Sequence, residues 1–448
     1  HGRLLCLLRK DGEARRAADA AAERAADDDP LTLDTIGCVY SRLGDHAAAL
    51  PFFERAVALE PRNVGYRFNL VSTYGFFARV DDAEIQYEQI LKLQPDHGKA
   101  HLGLAGLRRQ TPQSNHVARL EDIWAKAADP ADRLRIQYAA AKEYEDLGDY
   151  DAAFRHLSEG NRDHAKRLSF DIETDERNAS LIKEVFSDAG YLPGESEVPD
   201  APIFVVGLPR TGTTLADRIL SAHSLVSSAG ELQSMPLTVK RLAQTKSRLV
   251  LDPETILKAG QAGAGEAGAA YIGHARQRAG AEGAIFIDKL PLNFLYIGYI
   301  CKALPKAKIV CLRRHPMDSV WSNFKNLFAT TSSYYAYSHD LISTRRFYLL
   351  IDRLMAFWNG RYPGRVYELR YEDLVEDQEA QTRRLLDYCG LGWEAACLDF
   401  HNSAGAVATP SAMQVRQPVY NSSVGKWRLY ERHLAPVRAF FEEHGVAV

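Results

Sequence analysis

The stretch FVVGLPRTGTTLADRIL, residues Phe204–Leu220, decides the fold of the second half of the chain. It begins with an apolar run typical of a buried strand and ends with the apolar spacing of an amphipathic helix. Between the two, Gly207 and Gly212 enclose a turn of four residues. Where a strand, a tight turn and a helix follow in this order, backbone N–H groups converge on an anion. The stretch therefore predicts a loop that binds a phosphoryl or sulfuryl group.

This turn lacks the lysine of a nucleoside triphosphatase. In a Walker A loop that lysine reaches the β- and γ-phosphates beside a magnesium ion. Here Thr213 stands at the lysine position, Thr214 follows it, and Arg210 lies inside the turn. The threonines supply hydroxyl donors and the arginine supplies a planar guanidinium. The loop alone leaves open whether it binds such a ligand or whether its glycines serve only packing.

Composition is that of a soluble globular protein. The 448 residues are 46% apolar and 25% charged, with a net charge of −3, which suits two or three domains and gives no reason to expect nucleic-acid binding. The cysteines are scattered without a C-x-x-C pair, which indicates a reducing compartment and no zinc site. Because no run of about 18 apolar residues occurs, we expect a cytoplasmic protein without a membrane span. The sequence begins without a methionine, so a targeting segment stays open.

The first half of the chain contains an internal repeat. At an offset of 34 residues, side chains of like character recur in pairs: Ile36 and Leu70, Tyr40 and Tyr74, Ala49 and Ala83, Phe53 and Tyr87, Leu59 and Leu93. A third copy lies at residues 144–157 and a degraded one at about residues 5–30. Small residues where helices cross and a proline at the exit resemble tetratricopeptide repeats, in which stacked helix pairs bury one face each. An ordinary helical bundle is the alternative. We predict a helical repeat domain over residues 1–190, with an irregular connection at residues 110–132.

The composition and hydrophobic pattern of the sequence change after residue 190. Residues 191–201 are rich in proline, glycine and acidic residues, which predicts a linker. Beyond it, short apolar runs alternate with helical stretches; these runs begin at Ile203, Ala284, Ala307 and Val366. That alternation predicts an α/β domain over residues 202–448, with a parallel sheet flanked by helices.

A second motif lies at the end of the run that begins at Ala307. The sequence RRHPMDSVWS places Arg314 after a predicted strand and Ser322 on the helix that follows. Together the two motifs resemble the sulfotransferase family, whose donor is 3′-phosphoadenosine 5′-phosphosulfate. In that family a P-x-[ST]-G-[TS]-[TS] loop binds the 5′-phosphosulfate, and an arginine and a serine eight positions later bind the 3′-phosphate. The residues of this chain that match the loop are Pro209, Arg210, Thr211, Gly212, Thr213 and Thr214.

The second half is most similar to the tyrosylprotein sulfotransferase branch of that family. Glu231, in AGEL, corresponds to the catalytic base of that branch, and Lys289, in IDKLP, corresponds to its catalytic lysine. The resemblance implies that Arg210 and Lys289 stabilise the sulfonate and the departing phosphate. The further residues it implies are Tyr371 in RYEDL, which contacts the nucleotide, Lys426 and Trp427 at the end of the covering loop QPVYNSSVGKW, and Ser411 as an active-site serine.

One position departs from the pattern of this branch. Asn326 stands where the eukaryotic enzymes carry a further arginine for the 3′-phosphate, and Lys325 is the candidate to replace it. The repeats are also absent from those enzymes and are similar instead to a bacterial type in which tetratricopeptide repeats precede a sulfotransferase domain. The fold class implied is a tetratricopeptide-repeat solenoid followed by an α/β P-loop-like sulfotransferase domain.

The resemblance implies sulfuryl transfer to an acceptor hydroxyl of a protein tyrosine, a glycan or a small molecule. No metal is required, and the repeats are expected to bind the acceptor, a partner protein or a second copy of the chain. Two alternatives remain: a P-loop kinase or nucleoside triphosphatase, which needs the missing lysine, and a non-catalytic repeat scaffold. The aromatic run Tyr334, Tyr335 and Tyr337 could line an acceptor groove or belong to a packed or mobile loop.

Overall fold

The computed structural model describes residues 1–7, 10–24, 29–77, 79–247, 249–279, 285–330, 333–400 and 422–448. These residues fall into two compact units, His1–Leu168 and Ser169–Val448. Within the described ranges, no helix combines the length and the apolar composition needed to cross a bilayer.

The first unit is helical, as the repeat pattern predicts. Its helices are α1 (Gly2–Leu7), α2 (Asp11–Ala22), α3 (Pro30–Arg42), α4 (His46–Leu59), α5 (Val64–Phe76), α6 (Val80–Leu93), α7 (Gly98–Gly106), α8 (Val117–Trp124), α9 (Pro130–Leu147) and α10 (Tyr150–Ala165). Residues that share a repeat position share burial: Tyr40 and Tyr74 are buried, as are Ala49 and Ala83, which allow close helix approach. The predicted helical repeat architecture is confirmed.

The irregular connection of the first unit holds a short helix fastened by a buried carboxylate. Thr111 pairs with Ser114 across a small turn before α8 begins. The fully buried Glu143 of α9 accepts hydrogen bonds from the backbone N–H of His116, at 2.6 Å, and from its Nδ1, at 2.8 Å. These bonds compensate the cost of burying the Glu143 carboxylate.

The second unit is built on five parallel strands in the order β2-β3-β1-β4-β5. The strands are β1 (Ile203–Gly207), β2 (Val226–Ser228), β3 (Ile285–Asp288), β4 (Lys308–Arg313) and β5 (Val366–Arg370). Every residue of β1 is buried at the centre of the sheet, which explains its continuous apolar run. The chain fills one side of β1 and then crosses to the other, and ligands of open α/β sheets bind at such a reversal, beyond the carboxyl ends of the strands. The predicted parallel sheet flanked by helices is confirmed.

The helices of the second unit surround this sheet and carry most of the site. They are α11 (Ile172–Ser187), α12 (Thr213–Ser221), α13 (Ser234–Ala243), α14 (Pro253–Ala259), α15 (Ala264–Ala279), α16 (Ile297–Ala303), α17 (Pro316–Phe324), α18 (Leu341–Arg361), α19 (Tyr371–Glu376), α20 (Gln378–Cys389) and α21 (Glu431–Glu443). Among the described residues, the 3₁₀ helices are Pro291–Tyr296, Ser333–His339, Ala395–Cys397 and Lys426–Tyr430.

The segment predicted as a linker is packed into the second unit. Tyr191 is buried, and its hydroxyl meets the Ile256 carbonyl and the Tyr299 hydroxyl. Phe186, on α11, lies edge-on to Tyr191 at 4.7 Å between ring centroids and to Trp358 at 5.3 Å. The compact unit therefore begins at Ser169 rather than at residue 202. The linker was predicted from proline and glycine content. That content carries no information on aromatic side chains such as Phe186 and Tyr191, whose packing fastens the segment to the second unit.

Candidate functional site

The turn between β1 and α12 has a backbone that few residues adopt. Arg210 has φ 69° and Gly212 has φ 104°, both in the left-handed region. An arginine there is held at a cost of about 1–3 kcal/mol, and such strain is concentrated at functional sites. Gly207 has φ 140°, and a Cβ at this position would lie 2.6 Å from the Leu312 carbonyl oxygen on β4. Only glycine therefore allows β4 to approach the start of the turn.

The threonines of the turn are all buried, and one of them closes it. Thr211 donates its hydroxyl to the Leu208 carbonyl at 2.6 Å, and its N–H points to the same oxygen at 3.3 Å. Thr211 therefore shapes the turn in this structure. Thr213 and Thr214 occupy the first positions of α12, at the end of the helix where the macrodipole favours anions.

Two consecutive carbonyls of the turn are held by residues from beyond β4. Arg314 Nη1 donates to the Arg210 carbonyl at 3.0 Å, and Asn323 Nδ2 donates to the Pro209 carbonyl at 2.8 Å. The structure therefore brings the two sequence motifs together. Asn323 was not predicted as a site residue, because no local pattern distinguishes it from any other asparagine on a helix.

Arg314 lies where the turn, α19 and the C-terminal segment meet. Its guanidinium carbon lies 4.8 Å from the centre of the Tyr371 ring, and its Nη2 donates to the Ser423 carbonyl at 2.5 Å. The Tyr371 hydroxyl in turn lies 2.6 Å from the Ser423 hydroxyl oxygen. Among the described residues, the buried Arg314 Nε has no hydrogen-bond partner. The Asp318 carboxylate lies 4.0 Å from Nη2, and the unpartnered Nε leaves a donor for an anionic ligand.

Ser322 and the Lys325–Asn326 pair lie further along α17 and at its end. The Ser322 hydroxyl donates to the Ser319 carbonyl within the helix at 3.2 Å, not to the side chain of Arg314. Lys325 forms the C-cap of α17. Within the described residues, the buried Asn326 Nδ2 has no hydrogen-bond partner. Asn326 thus has an unpartnered amide donor at the position where the resemblance described above implies an arginine.

The segment predicted to cover the cofactor is fastened by an aspartate that the sequence did not single out for binding. Asp318, 2% exposed on α17, accepts hydrogen bonds from the N–H groups of Gly425, at 2.6 Å, and Trp427, at 3.1 Å. The indole ring of Trp427 stacks on His315 with centroids 5.7 Å apart. These contacts place Lys426 and Trp427 beside the turn that follows β4. Ser411 and residues 417–421 of the loop lie outside the described residues.

Glu231 and Lys289, the predicted catalytic pair, are in direct contact. Lys289 Nζ lies 2.6 Å from Glu231 Oε1; the lysine side chain is 3% exposed and that of the glutamate 38%. Lys289 follows β3 directly, and its N–H donates to the Gly230 carbonyl at 2.9 Å, which joins the two segments. A carboxylate open to solvent can take a proton from a hydroxyl, and a buried ammonium can stabilise developing negative charge.

Two buried aspartates lie close to this pair. Asp288 is fully buried and accepts a hydrogen bond from the Tyr271 hydroxyl at 3.0 Å. Burial raises the pKa of Asp288 to about 7, although its hydrogen bonds act in the opposite direction. Burial likewise raises the pKa of Asp217 on α12, and a hydrogen bond from Ser228 and the charge of Lys289 oppose the shift. Neither aspartate was predicted, because acidic residues next to strand ends and in helices are usually solvated.

The aromatic run is packed, and part of it lies near Glu231. Tyr335 stacks on Phe328 with centroids 4.6 Å apart, and the Tyr334 hydroxyl lies 3.5 Å from Gln233 Oε1. Burial, and to a lesser degree the charge of Glu231, raise the pKa of Tyr335 to about 12. Tyr337 points the other way and donates its hydroxyl to Asn323 Oδ1 at 2.9 Å. The mobile-loop alternative is thus not favoured.

Comparison with known proteins finds a match to a family model within each half. The model of the sulfotransferase family matches residues 202–395, and a tetratricopeptide repeat model matches residues 32–63. An uncharacterized protein of Aquifex aeolicus (strain VF5) is 30% identical over 392 residues, which are 86% of this chain and 51% of that protein. The chain therefore spans about half the length of this relative.

Two further similarities involve proteins with assigned names. A protein-tyrosine sulfotransferase of Drosophila melanogaster is 25% identical over 248 residues, which are 50% of this chain and 46% of that protein. A solved structure, the sulfotransferase domain from the Synechococcus PCC 7002 olefin synthase, aligns with a TM-score of 0.39 and 20% identity, over 56% of this chain and 97% of that one.

Proposed function

Because residues 202–395 match the model of the sulfotransferase family, we propose that this chain transfers a sulfuryl group from 3′-phosphoadenosine 5′-phosphosulfate to an acceptor hydroxyl. The observation that carries the proposal is the contact of Lys289 Nζ with Glu231 Oε1 at 2.6 Å. Lys289 follows β3, which is a neighbour of β1, and Glu231 follows β2, the next strand outward, so the pair lies at the same edge of the sheet as the turn that precedes α12. It combines a cation for the leaving group with a base for the acceptor.

The donor-binding residues that we propose are those of the turn and of the segments that meet it: Pro209, Arg210, Thr211, Gly212, Thr213, Thr214, Arg314, Ser322, Tyr371, Lys426 and Trp427. The α12 N-terminus and Arg210 suit a 5′-phosphosulfate, because backbone donors and a guanidinium both favour a multiply charged anion. Arg314 suits the 3′-phosphate, because its buried Nε lacks a partner among the described residues. Lys325 and the Asn326 amide are proposed to supplement it.

In the reaction, the acceptor oxygen forms a bond to sulfur as the bond from sulfur to the phosphate oxygen breaks. Glu231 accepts the proton of the acceptor hydroxyl, and Lys289 and Arg210 stabilise the negative charge that grows on the departing phosphate. Ser411 is proposed to belong to the same site. The donor leaves as 3′-phosphoadenosine 5′-phosphate. Positioning and electrostatic stabilisation account for most of such a reaction, as in phosphoryl transfer.

For the acceptor we propose a hydroxyl such as that of a protein tyrosine. Tyr334 and Tyr335 lie near Gln233 and Glu231, so an aromatic acceptor would find flat apolar contacts beside the base. The repeats are proposed to bind the acceptor protein, a partner or a second copy of the chain. The cysteines are all free, which fits a reducing compartment such as the cytoplasm.

The direct test is transfer of label from radioactive donor to fractions of a host extract, with the wild-type chain and two variants. Glu231→Ala is expected to lower the rate on the order of 100- to 10,000-fold, the contribution of a general base, while it still binds 3′-phosphoadenosine 5′-phosphate. Arg314→Ala is expected to weaken nucleotide binding at least about tenfold, the loss of a charge-assisted hydrogen bond. Arg353→Ala, an exposed arginine on α18, is the control and is expected to behave as wild type.

Calorimetry with ATP–magnesium separates this function from that of a P-loop kinase or nucleoside triphosphatase. The proposed function requires binding of the 3′-phosphorylated nucleotide and no dependence on magnesium. Tight binding of ATP–magnesium without binding of 3′-phosphoadenosine 5′-phosphate would contradict it. Wild-type transfer rates in both site variants would also contradict the roles assigned above.

A further inference from the structure

Asn323, on α17, connects two parts of the second unit that no sequence motif joins. Its side chain is fully buried. Nδ2 donates to the Pro209 carbonyl at 2.8 Å and to the Ser319 carbonyl at 2.9 Å, and Oδ1 accepts from the Tyr337 hydroxyl at 2.9 Å. One amide group thus contacts the turn before α12 and the 3₁₀ helix Ser333–His339 at the same time.

Chemistry fixes the orientation of this amide. Both carbonyls are acceptors only, so the atom that faces them has to be the nitrogen with its two hydrogens. The tyrosine hydroxyl then has to donate to the oxygen. No other side chain of this size has two donors and an acceptor on one planar group. Aspartate would turn an oxygen toward two carbonyls, and leucine would remove the partner of the Pro209 carbonyl and of the Tyr337 hydroxyl, while the Ser319 carbonyl keeps the Ser322 hydroxyl.

The bond to Pro209 determines the direction of the next N–H of the turn. A trans peptide is planar, so its carbonyl and N–H point in opposite directions. Because the Pro209 carbonyl is held toward α17, the N–H of Arg210 points away from it. The bond also fixes the peptide between Pro209 and Arg210. It thereby holds Arg210 at its φ of 69°, which would otherwise relax toward a more favourable value.

The side-chain oxygen of Asn323 contacts the aromatic run through Tyr337. Tyr337 is 1% exposed and stacks on Phe347 with centroids 3.9 Å apart, so its hydroxyl has little freedom to move. In the same 3₁₀ helix, Tyr334 and Tyr335 lie near Gln233 and Glu231. A displacement of this helix therefore acts on Asn323 and through it on the Pro209 peptide.

We propose that Asn323 is a positioning residue that couples the acceptor-side 3₁₀ helix to the donor turn, so that contacts made by the acceptor favour the anion-binding shape of the turn. The terms donor and acceptor rest on the function proposed above. The coupling itself is a property of three hydrogen bonds, and it can be measured without any substrate.

The test compares Asn323→Leu, Tyr337→Phe and Tyr138→Phe in the full chain by hydrogen exchange of peptides that cover residues 204–216. Tyr138→Phe is the matched control: the buried Tyr138 hydroxyl also donates to an asparagine oxygen, that of Asn161 at 2.7 Å, but belongs to the first unit. We expect protection of the turn to fall about fivefold in Asn323→Leu and Tyr337→Phe, the effect of one hydrogen bond. Protection of the turn in Tyr138→Phe is expected to stay at the wild-type level.

Binding of 3′-phosphoadenosine 5′-phosphate by calorimetry gives the second measurement. Tyr337→Phe is expected to weaken binding about fivefold, again the effect of one hydrogen bond, although Tyr337 does not belong to the donor turn. Equal effects of Tyr337→Phe and Tyr138→Phe, or unchanged exchange in Tyr337→Phe, would overturn the coupling. If the exchange pattern is as expected and the wild-type chain binds no nucleotide, the coupling stands and the proposed function fails.

Discussion

The environment of Asp288 changes the acidity of its carboxyl group. Its side chain is fully buried next to Lys289, and burial raises its pKa to about 7. The folded protein therefore keeps this proton up to about pH 7, whereas the unfolded chain releases it near pH 4. The stability that the protonated group contributes is complete below about pH 4 and is lost as the pH rises through about 7.

Asp288→Asn should remove this pH dependence, because an amide of the same shape cannot ionise. We expect the free energy of unfolding of the variant, relative to wild type, to rise by on the order of 1–3 kcal/mol between pH 5 and pH 8. Urea denaturation at the two pH values measures the difference. The same substitution at the exposed Asp387 is the control, and a parallel response of both variants would refute the assignment.

Single residues of the site differ in how far the sequence could reveal them. Glu231 and Lys289 could be located because each stands in a short motif, and the structure places them in contact. Asn323 and Asp318 could not, because their roles depend on partners more than 100 residues away in the chain: 114 for Asn323 and Pro209, and 107 for Asp318 and Gly425. Local patterns carry no information on such contacts.

At the scale of elements, the unit of β1, turn and α12 depends on close approach of β4. Gly207→Ala places a methyl group 2.6 Å from the Leu312 carbonyl oxygen, and backbone on both sides resists displacement. We expect a loss of at least about 2 kcal/mol in the free energy of unfolding of the second unit. Chemical denaturation followed by tryptophan fluorescence would measure it.

Gly273→Ala, in α15, is the matched comparison. Gly273 is exposed, and a Cβ there would meet nothing within 4 Å. Alanine in an exposed helix interior is expected to add roughly 0.5–1 kcal/mol. If both alanine variants change stability in the same direction, the packing argument for Gly207 is wrong.

Most strands could be predicted, and the exception has a physical reason. The apolar runs that begin at Ile203, Ala284, Ala307 and Val366 correspond to β1, β3, β4 and β5. The remaining strand, β2 (Val226–Ser228), has three residues and only one apolar side chain, so its sequence shows no alternation of apolar and polar residues. β2 nevertheless leads into the segment that carries Glu231. The sequence therefore indicated this glutamate through its motif and not through a predicted strand before it.

At the scale of the whole molecule, the boundary between the units decides which fragment can fold. The sulfotransferase-family match begins at residue 202, whereas the compact unit begins at Ser169. Residues 169–201 include α11 and Tyr191, whose aromatic side chains pack against Tyr299 and Trp358. The sequence predicted that residues 169–190 belong to the repeat domain and that residues 191–201 form a linker, whereas both stretches belong to the second compact unit.

We therefore expect a fragment of residues 169–448 to unfold cooperatively and to bind 3′-phosphoadenosine 5′-phosphate as the full chain does. A fragment of residues 202–448 is expected to lose several kcal/mol, because removal of a buried phenylalanine such as Phe186 alone costs roughly 3–5 kcal/mol. Thermal melts and calorimetry on both fragments test this. Equal stability of the two would place the boundary at residue 202, as predicted from the sequence.

The hydrogen bonds to the turn carbonyls also limit which segments of the chain can be transferred to another protein. The turn after β1 takes its shape from side chains 104 and 114 residues further along the chain. Grafting residues 203–221 onto a foreign sheet would transfer the motif without the geometry. The smallest portable module consists of β1, the turn and α12 together with β4 and α17. In chimaeras of related proteins, crossovers outside this module should preserve the shape of the turn, whereas a crossover between α12 and β4 would combine a turn from one parent with anchors from another.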